Sequence, residues 1–213
     1  MKKSILTLAV VFLAVVTFGN TNKFEKLMKQ NLEIVRVSSE KTDYQNLGDE
    51  FGKIASLNKN RFEPLYYSAY CYIISSWQMS DIADKSIVLS KAKSQIDKAL
   101  KISPNNDELL VLEAFYYQAM IMINPQKYGQ SFSAKASELL QKAQSINNKN
   151  PRAEFLLAQN IYYRPAEYGG GKKVALPLFE KAAKLFSMQN TNNYLLPIWG
   201  EATNAEMTTQ CRK

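Results

Sequence analysis

Few residues of this chain have the types and spacing that catalysis or metal binding requires. The 213 residues include no His, which removes the commonest general base and the commonest metal ligand. Asp and Glu are scattered over polar faces with no close pair, and turns such as SPNND lack the alternating carboxylates of a calcium loop. No His is present to activate Cys71 or Cys211 as a nucleophile. We therefore expect a protein that is not an enzyme and that holds no cofactor or metal.

A glycine-rich turn, Gly169-Gly170-Gly171-Lys172, precedes a predicted helix. Such turns can bind phosphate through backbone N–H groups at a helix N-terminus. The phosphate-loop spacing is not met, because Lys173 stands where Ser or Thr is needed. A conformational turn is the favoured interpretation, and ligand binding through exposed Lys172 and Lys173 is the alternative.

The two cysteines predict free thiols more readily than a disulfide. Cys71 lies in the apolar run YYSAYCYII, where a buried thiol is the ordinary interpretation. Cys211 belongs to the last predicted helix, and early and late elements of a linear helical stack lie far apart. Export would permit a Cys71–Cys211 bridge, so the pairing stays open at this stage.

The first 19 residues have the layout of a secretory signal peptide. A positive start, Met1-Lys2-Lys3, is followed by an apolar run to Phe18 and small residues near Gly19. We expect cleavage near Gly19, a periplasmic or secreted protein, and no stable membrane span afterwards; an uncleaved anchor is the alternative. The net charge of +8 comes from isolated lysines without interleaved aromatics, so nucleic acid is not an expected partner.

An internal repeat organises the middle of the chain. The pattern Ala92, Ala99, Pro104 returns as Ala136, Ala143 and Pro151, each time followed by a new amphipathic helix. A further copy of the helical part carries Ala175, Phe179 and Ala182. The helices that precede these segments have small residues of their own, namely Ala69, Ala114 and Ala158.

These positions resemble the tetratricopeptide repeat (TPR) family, whose unit is a pair of antiparallel helices with small residues at the contacts. The resemblance implies an all-α fold: a solenoid of antiparallel helical hairpins in a right-handed superhelix, closed by a C-terminal capping helix. Residues 20–213 are expected to form this domain, with hairpins over about 22–57, 61–102, 107–147 and 151–187 and the capping helix over about 194–211. The small residues of paired helices are further apart than in the family, which predicts lengthened loops or first helices. Residues 126–131 are accordingly expected to form a loop.

In this family the first helices line a concave groove that takes a peptide or a helix. The resemblance therefore implies an exported, non-enzymatic scaffold for a peptide or protein segment, with aromatic side chains as binding walls. Packing between helices is the alternative role of each tyrosine. The groove candidates are Glu63, Tyr66, Tyr70, Glu108, Val111, Phe115, Gln118, Arg152, Phe155, Gln159 and Tyr162.

A second hypothesis comes from the loop Tyr168 to Lys173. It resembles loops in the soluble TPR component that accompanies some binding-protein-dependent transporters. This resemblance implies a periplasmic transport-accessory protein with a closed, tyrosine-lined pocket for a small ligand. The sequence determines neither the identity of the partner nor the oligomeric state.

Overall fold

The structure, a computed structural model, describes residues 23–37, 43–190 and 192–213. The secondary structure of these residues is helical, and no strand is found among them, in agreement with the predicted all-α class. The expected signal peptide over residues 1–19 lies outside the described residues.

Nine α-helices follow one another along the described chain. Helix α1 covers residues 23–36. A short 3-10 helix, Ala166–Tyr168, stands between the seventh and eighth helices. The others are α2 (Tyr44–Leu57), α3 (Glu63–Gln78), α4 (Ile82–Ile102), α5 (Asp107–Ile121), α6 (Pro125–Ile146), α7 (Pro151–Tyr163), α8 (Lys172–Ser187) and α9 (Glu201–Arg212).

Side-chain caps explain where α4 and α6, the second helices of two pairs, begin. Asp81 accepts hydrogen bonds from the N–H groups of Ala83 and Asp84, so α4 starts at Ile82. Asn124 accepts from the N–H of Lys127 at 3.0 Å, and Pro125 suits the first turn because it has no N–H to lose. The predicted loop over residues 126–131 is therefore wrong. In the α3–α4 and α5–α6 units the extra residues of the repeat lengthen the second helix. In the α7–α8 unit they form the connection 164–171, in agreement with the predicted lengthened loop.

The helices form two layers. From α2 onward each helix packs against the next one along the chain, and in addition α3 contacts α5 and α5 contacts α7. Helices α3, α5 and α7, called the odd-numbered helices below, thus lie side by side, and α4, α6 and α8 pack against them as a second layer. The small residues of the repeat are completely buried at these contacts. They are Ala69, Ala92, Ala99, Ala114, Ala136, Ala143, Ala158, Ala175 and Ala182.

Enlarging one of these alanines is expected to destabilise the stack. Ala136→Leu on α6 adds three methyl or methylene groups at a site with no exposed surface, and overpacking of this kind costs about 1–3 kcal/mol. Ala134→Leu on the same helix is the matched control, because Ala134 is exposed. Urea denaturation would measure both free energies of unfolding. Equal values for the two variants would show that the repeat alanines are not close-packed.

The segment before α9 departs from the predicted capping helix over 194–211. Residues 192–200, named the strap below, are not helical, and α9 begins only at Glu201. Pro197 cannot donate a backbone hydrogen bond, and Gly200 holds a φ of 103°, which is accessible mainly to glycine. These two residues keep the apolar run between them out of the helix and allow it to cross the odd-numbered helices.

Candidate functional site: an aromatic floor beneath the strap

Two aromatic rings from neighbouring helices form a shared surface on the layer of odd-numbered helices. Tyr70 of α3 and Phe115 of α5 have ring centroids 6.5 Å apart and planes inclined by 26°. We call this pair the aromatic floor. Stacked aromatic rings add about 0.5–1.5 kcal/mol to the burial of their area.

The indole of Trp199, in the strap, lies across both rings of the aromatic floor. Its centroid is 5.4 Å from that of Tyr70 and 5.2 Å from that of Phe115, with interplanar angles of 25° and 19°. Its Nε1–H donates a 2.9 Å hydrogen bond to the hydroxyl of Tyr66. Under this cover Tyr70 is 7% exposed and Phe115 only 4%.

One edge of the site is open to solvent. Trp77, at the end of α3, packs edge-on against Phe115 with centroids 5.3 Å apart, and it remains 50% exposed. A half-exposed tryptophan in contact with a buried aromatic surface offers a route by which an apolar ligand could reach it.

The strap is held to the odd-numbered helices by side chains. Tyr67 donates its hydroxyl proton to the carbonyl of Leu195 at 2.9 Å, and Arg36 donates to the carbonyl of Tyr194 at 2.9 Å. Gln189 donates to the carbonyl of Pro197 at 3.1 Å. The strap carbonyls thus accept hydrogen bonds from side chains, while residues 193–196 form a turn in which the N–H of Leu196 donates to the carbonyl of Asn193 at 3.0 Å.

A buried ion pair lies next to the indole. Glu108 of α5 accepts from Nε and Nη2 of Arg152 at 2.7–3.1 Å, and Arg152 is 1% exposed. Asn150 also donates to Glu108, and Gln189 accepts from Arg152. The guanidinium carbon of Arg152 is 5.9 Å from the ring centroid of Trp199. This pair joins α5 to α7 and supports the strap from below.

Burial determines the ionisation of the groups around the floor. Loss of solvent raises the pKa of Tyr66 well above its usual range, and it raises the pKa of Tyr70 as well. Burial opposes the charge on Arg152, but the neighbouring Glu108 carboxylate outweighs it, so the pKa of Arg152 is raised. At neutral pH the floor is therefore uncharged, with one fully paired cation beside it.

The structure brings together part of the predicted groove. Tyr66, Tyr70 and Phe115 meet beneath Trp199, and Glu108 pairs with Arg152. Val111 is fully buried, and Phe155 contacts the rings of Phe179 and Phe186 at the end of the strap.

The remaining groove candidates face other partners. Glu63 pairs with Arg61, outside the aromatic floor. Gln118 donates to the carbonyl of Leu156. Two contact α9: the Gln159 amide lies 3.7 Å from the sulfur of Met207, and Tyr162 donates to Gln210.

The site contains residues that the sequence did not single out, above all Trp199 and the strap that carries it. The available signal was an apolar run, Tyr194 to Trp199, interrupted by Pro197 and ended by Gly200. A proline and a glycine flanking an apolar run favour an extended segment over a helix.

The other sequence candidates are accounted for by the fold. The N–H groups of Gly169, Gly170 and Gly171 donate to the carbonyls of Ala166, Pro165 and Ile161, so the glycine-rich segment is a conformational turn. Cys71 and Cys211 are free thiols, and burial raises the pKa of Cys71.

Other features of the described residues do not add a second site of this kind. None of their helices combines the length and apolar character that crossing a bilayer requires. No group of His, Cys, Asp and Glu within them could hold a metal ion. An open, polar cleft of about 500 Å³ lies between α2 and α4, where Asn46, Asp49 and Gln95 line it, away from the aromatic floor.

Comparison with known proteins gives a similar solved structure. No family model matches the chain, and no curated protein matches it. Among solved structures, the chain is similar to the HusA haemophore from Porphyromonas gingivalis, with 29% sequence identity and a TM-score of 0.80. The match covers 89% of this chain and 92% of the haemophore. The two chains therefore share one fold over nearly their whole lengths.

Proposed function

We propose that this protein is an exported binding protein for haem or a related flat, apolar ring system. The observation that carries the proposal is the aromatic floor, which occurs in a chain similar over 89% of its length to a protein named a haemophore. A porphyrin is planar, and stacking on near-parallel aromatic rings is the contact that it can make most extensively. Trp77 gives such a ligand a first, exposed contact.

The residues of the floor fit an apolar macrocycle better than an ionic ligand. Tyr70 and Phe115 carry no charge at neutral pH, and the nearby Arg152 is already paired with Glu108. Since the sequence contains no His, an iron ligand from this chain would have to be Tyr, Met or Cys. Binding is thus expected to depend on stacking and burial.

Haemin titration tests the proposal. We expect a saturable change of the Soret absorption at one haemin per chain, and Trp77→Ala is expected to weaken binding about tenfold, since loss of a stacked ring costs roughly 1.4 kcal/mol. Tyr128→Ala on α6 is the matched control, because Tyr128 stacks on Phe132 outside the floor and its loss should leave affinity unchanged. Haemin binding that is not saturable, or that is equally weak in both variants, would contradict the proposal.

Peptide binding is the second candidate, and one observation favours it. The strap is itself a non-helical peptide segment held by side chains, since the carbonyls of Tyr194 and Leu195 accept hydrogen bonds from Arg36 and Tyr67. On this hypothesis the protein is an exported TPR scaffold. A photoreactive residue at position 77 would then yield a discrete protein adduct in intact cells, whereas a haem carrier would give none and would copurify with its ligand.

The architecture supports the TPR resemblance in both candidates. The buried repeat alanines lie at helix contacts, as that family requires, and the odd-numbered helices lie side by side. We infer from this that the hairpins are TPR-like units in a right-handed superhelix. The transport-accessory hypothesis, like haem binding, involves a small ligand. Its expected tyrosine-lined pocket would then be the floor beneath the strap.

A further inference from the structure

Trp199 occupies the surface that a flat ligand would use. Its indole covers Tyr70 and Phe115 at interplanar angles of 25° and 19°, so it is nearly parallel to both rings. The ring centroids of Tyr70 and Phe115 are 6.5 Å apart. The indole of Trp199 reaches both rings, and a larger planar ring system would also reach both. A planar ligand and Trp199 cannot lie on the same face of these rings at once.

The attachment of the strap is weak compared with that of the helices. No described backbone–backbone hydrogen bond joins the strap to α1, α3, α5 or α7. The strap depends instead on side chains, namely those of Arg36, Tyr67 and Gln189 and the hydrogen bond from Trp199 to Tyr66. Tyr194, Leu195 and Trp199 pack against the core, but Leu196 is 36% exposed and Ile198 is 44% exposed. Segments with few buried apolar contacts and exposed backbone open most easily.

The two ends of the strap permit local movement. Gly200 adopts a φ of 103°, and the strap begins with two exposed asparagines, Asn192 and Asn193. Helix α9 is fixed independently, because Asn204 donates to the carbonyl of Phe179 and Met207 is buried. The strap could therefore leave the floor while α9 stays packed on α8.

From this geometry we propose that the strap is a lid and that Trp199 is its internal ligand, which a flat aromatic ligand displaces from Tyr70 and Phe115. This inference rests on the proposed function, and it names the residue that competes with the ligand. The apparent affinity for the ligand is then the intrinsic affinity multiplied by the fraction of molecules in which Trp199 has left the floor.

Haemin titration of Trp199→Ala tests the lid directly. If Trp199 competes with haemin, its removal raises the affinity, by about threefold or more when the covered state predominates. Ile146→Ala is the control outside the strap, since Ile146 is also 44% exposed, lies at the end of α6 and should leave the affinity unchanged. A weaker affinity of Trp199→Ala than of the wild-type protein would overturn the lid and make Trp199 a wall of the site.

Hydrogen exchange on the wild-type protein provides a second test that does not depend on the folding of a variant. Saturation with haemin is expected to speed exchange of the amides of residues 194–200 while the amides of α9 stay protected. Slower or unchanged exchange in the strap would overturn the lid even if haemin binds. Absence of haemin binding by both the wild-type protein and Trp199→Ala would instead contradict the proposed function, and the lid with it.

Discussion

Raising the pH from 9 to 11 is expected to lower the free energy of unfolding of this protein by about 6–7 kcal/mol. Tyr66, Tyr67 and Tyr70 are buried, and burial raises the pKa of each. Burial also raises the pKa of the Cys71 thiol. These four groups stay neutral in the folded protein at pH values where they ionise in the unfolded chain.

The free energy of unfolding falls as the pH rises in this range, because the folded state binds more protons than the unfolded chain. Above about pH 10 for tyrosine and about pH 8.5 for cysteine, the unfolded chain loses a proton that the folded protein keeps. Each group then lowers the free energy of unfolding by about 1.4 kcal/mol per pH unit, and its stabilising contribution is fully present only below those values. Between pH 9 and pH 11 the four groups together remove about 6–7 kcal/mol, against a typical total of about 5–15 kcal/mol.

Urea denaturation at several pH values from 8 to 11 would measure this loss. Tyr70→Phe keeps the ring on the floor and removes one titrating group, so the decline above pH 10 should become shallower by about 1.4 kcal/mol per pH unit. A stability that is constant to pH 11, or a slope that is the same in Tyr70→Phe, would show that these hydroxyls reach solvent in the folded protein.

The helical stack was predictable because its signals are local and repeated. Ala92 and Ala99, and then Ala136 and Ala143, mark the same packing positions in successive units, and all of them are fully buried. A repeat in the sequence indicates the packing positions, since each unit buries its apolar face only against the neighbouring units. The start of α6 was missed because Asn124-Pro125 reads equally as the end of one helix and as the cap of the next.

The candidate site was predictable only in part. Tyr66, Tyr70 and Phe115 follow from the positions that first helices present to a groove, and the structure does place them together. Trp199 was not predictable from spacing, because it lies 84 positions after Phe115 and reaches it through a non-helical segment. Contacts between a helix and a distant strap depend on the path of the chain, which no local pattern encodes.

Breaking the ion pair between Glu108 and Arg152 is expected to destabilise the protein by about 3 kcal/mol. The closest atoms of the pair are 2.7 Å apart, and the side chains are 13% and 2% exposed. Glu108→Ala would leave the guanidinium of Arg152 buried with only Gln189 as an acceptor. An uncompensated buried charge typically costs about 3–5 kcal/mol, and the lower value applies because Glu108 is not completely enclosed.

An exposed pair supplies the matched control. Arg212 and Glu180 also lie 2.7 Å apart, but their side chains are 61% and 44% exposed. Pairs of this kind contribute about 0–1 kcal/mol, so Glu180→Ala should be nearly neutral. Urea denaturation of the two alanine variants would compare them. Similar small losses in both would show that water reaches Arg152.

The double variant Glu108→Leu with Arg152→Met separates the destabilisation by an unpaired buried charge from the net contribution of the ion pair to the free energy of unfolding. Replacing both charges by apolar groups of similar volume is often neutral or stabilising, so stability should recover to near the wild-type value.

Because Arg152 lies 5.9 Å from Trp199, the haemin affinity of the same double variant tests whether the ion pair takes part in binding. If Glu108 and Arg152 serve only to join α5 to α7, haemin affinity stays unchanged when stability recovers. A loss of affinity in a stable double variant would instead assign this pair a direct part in binding.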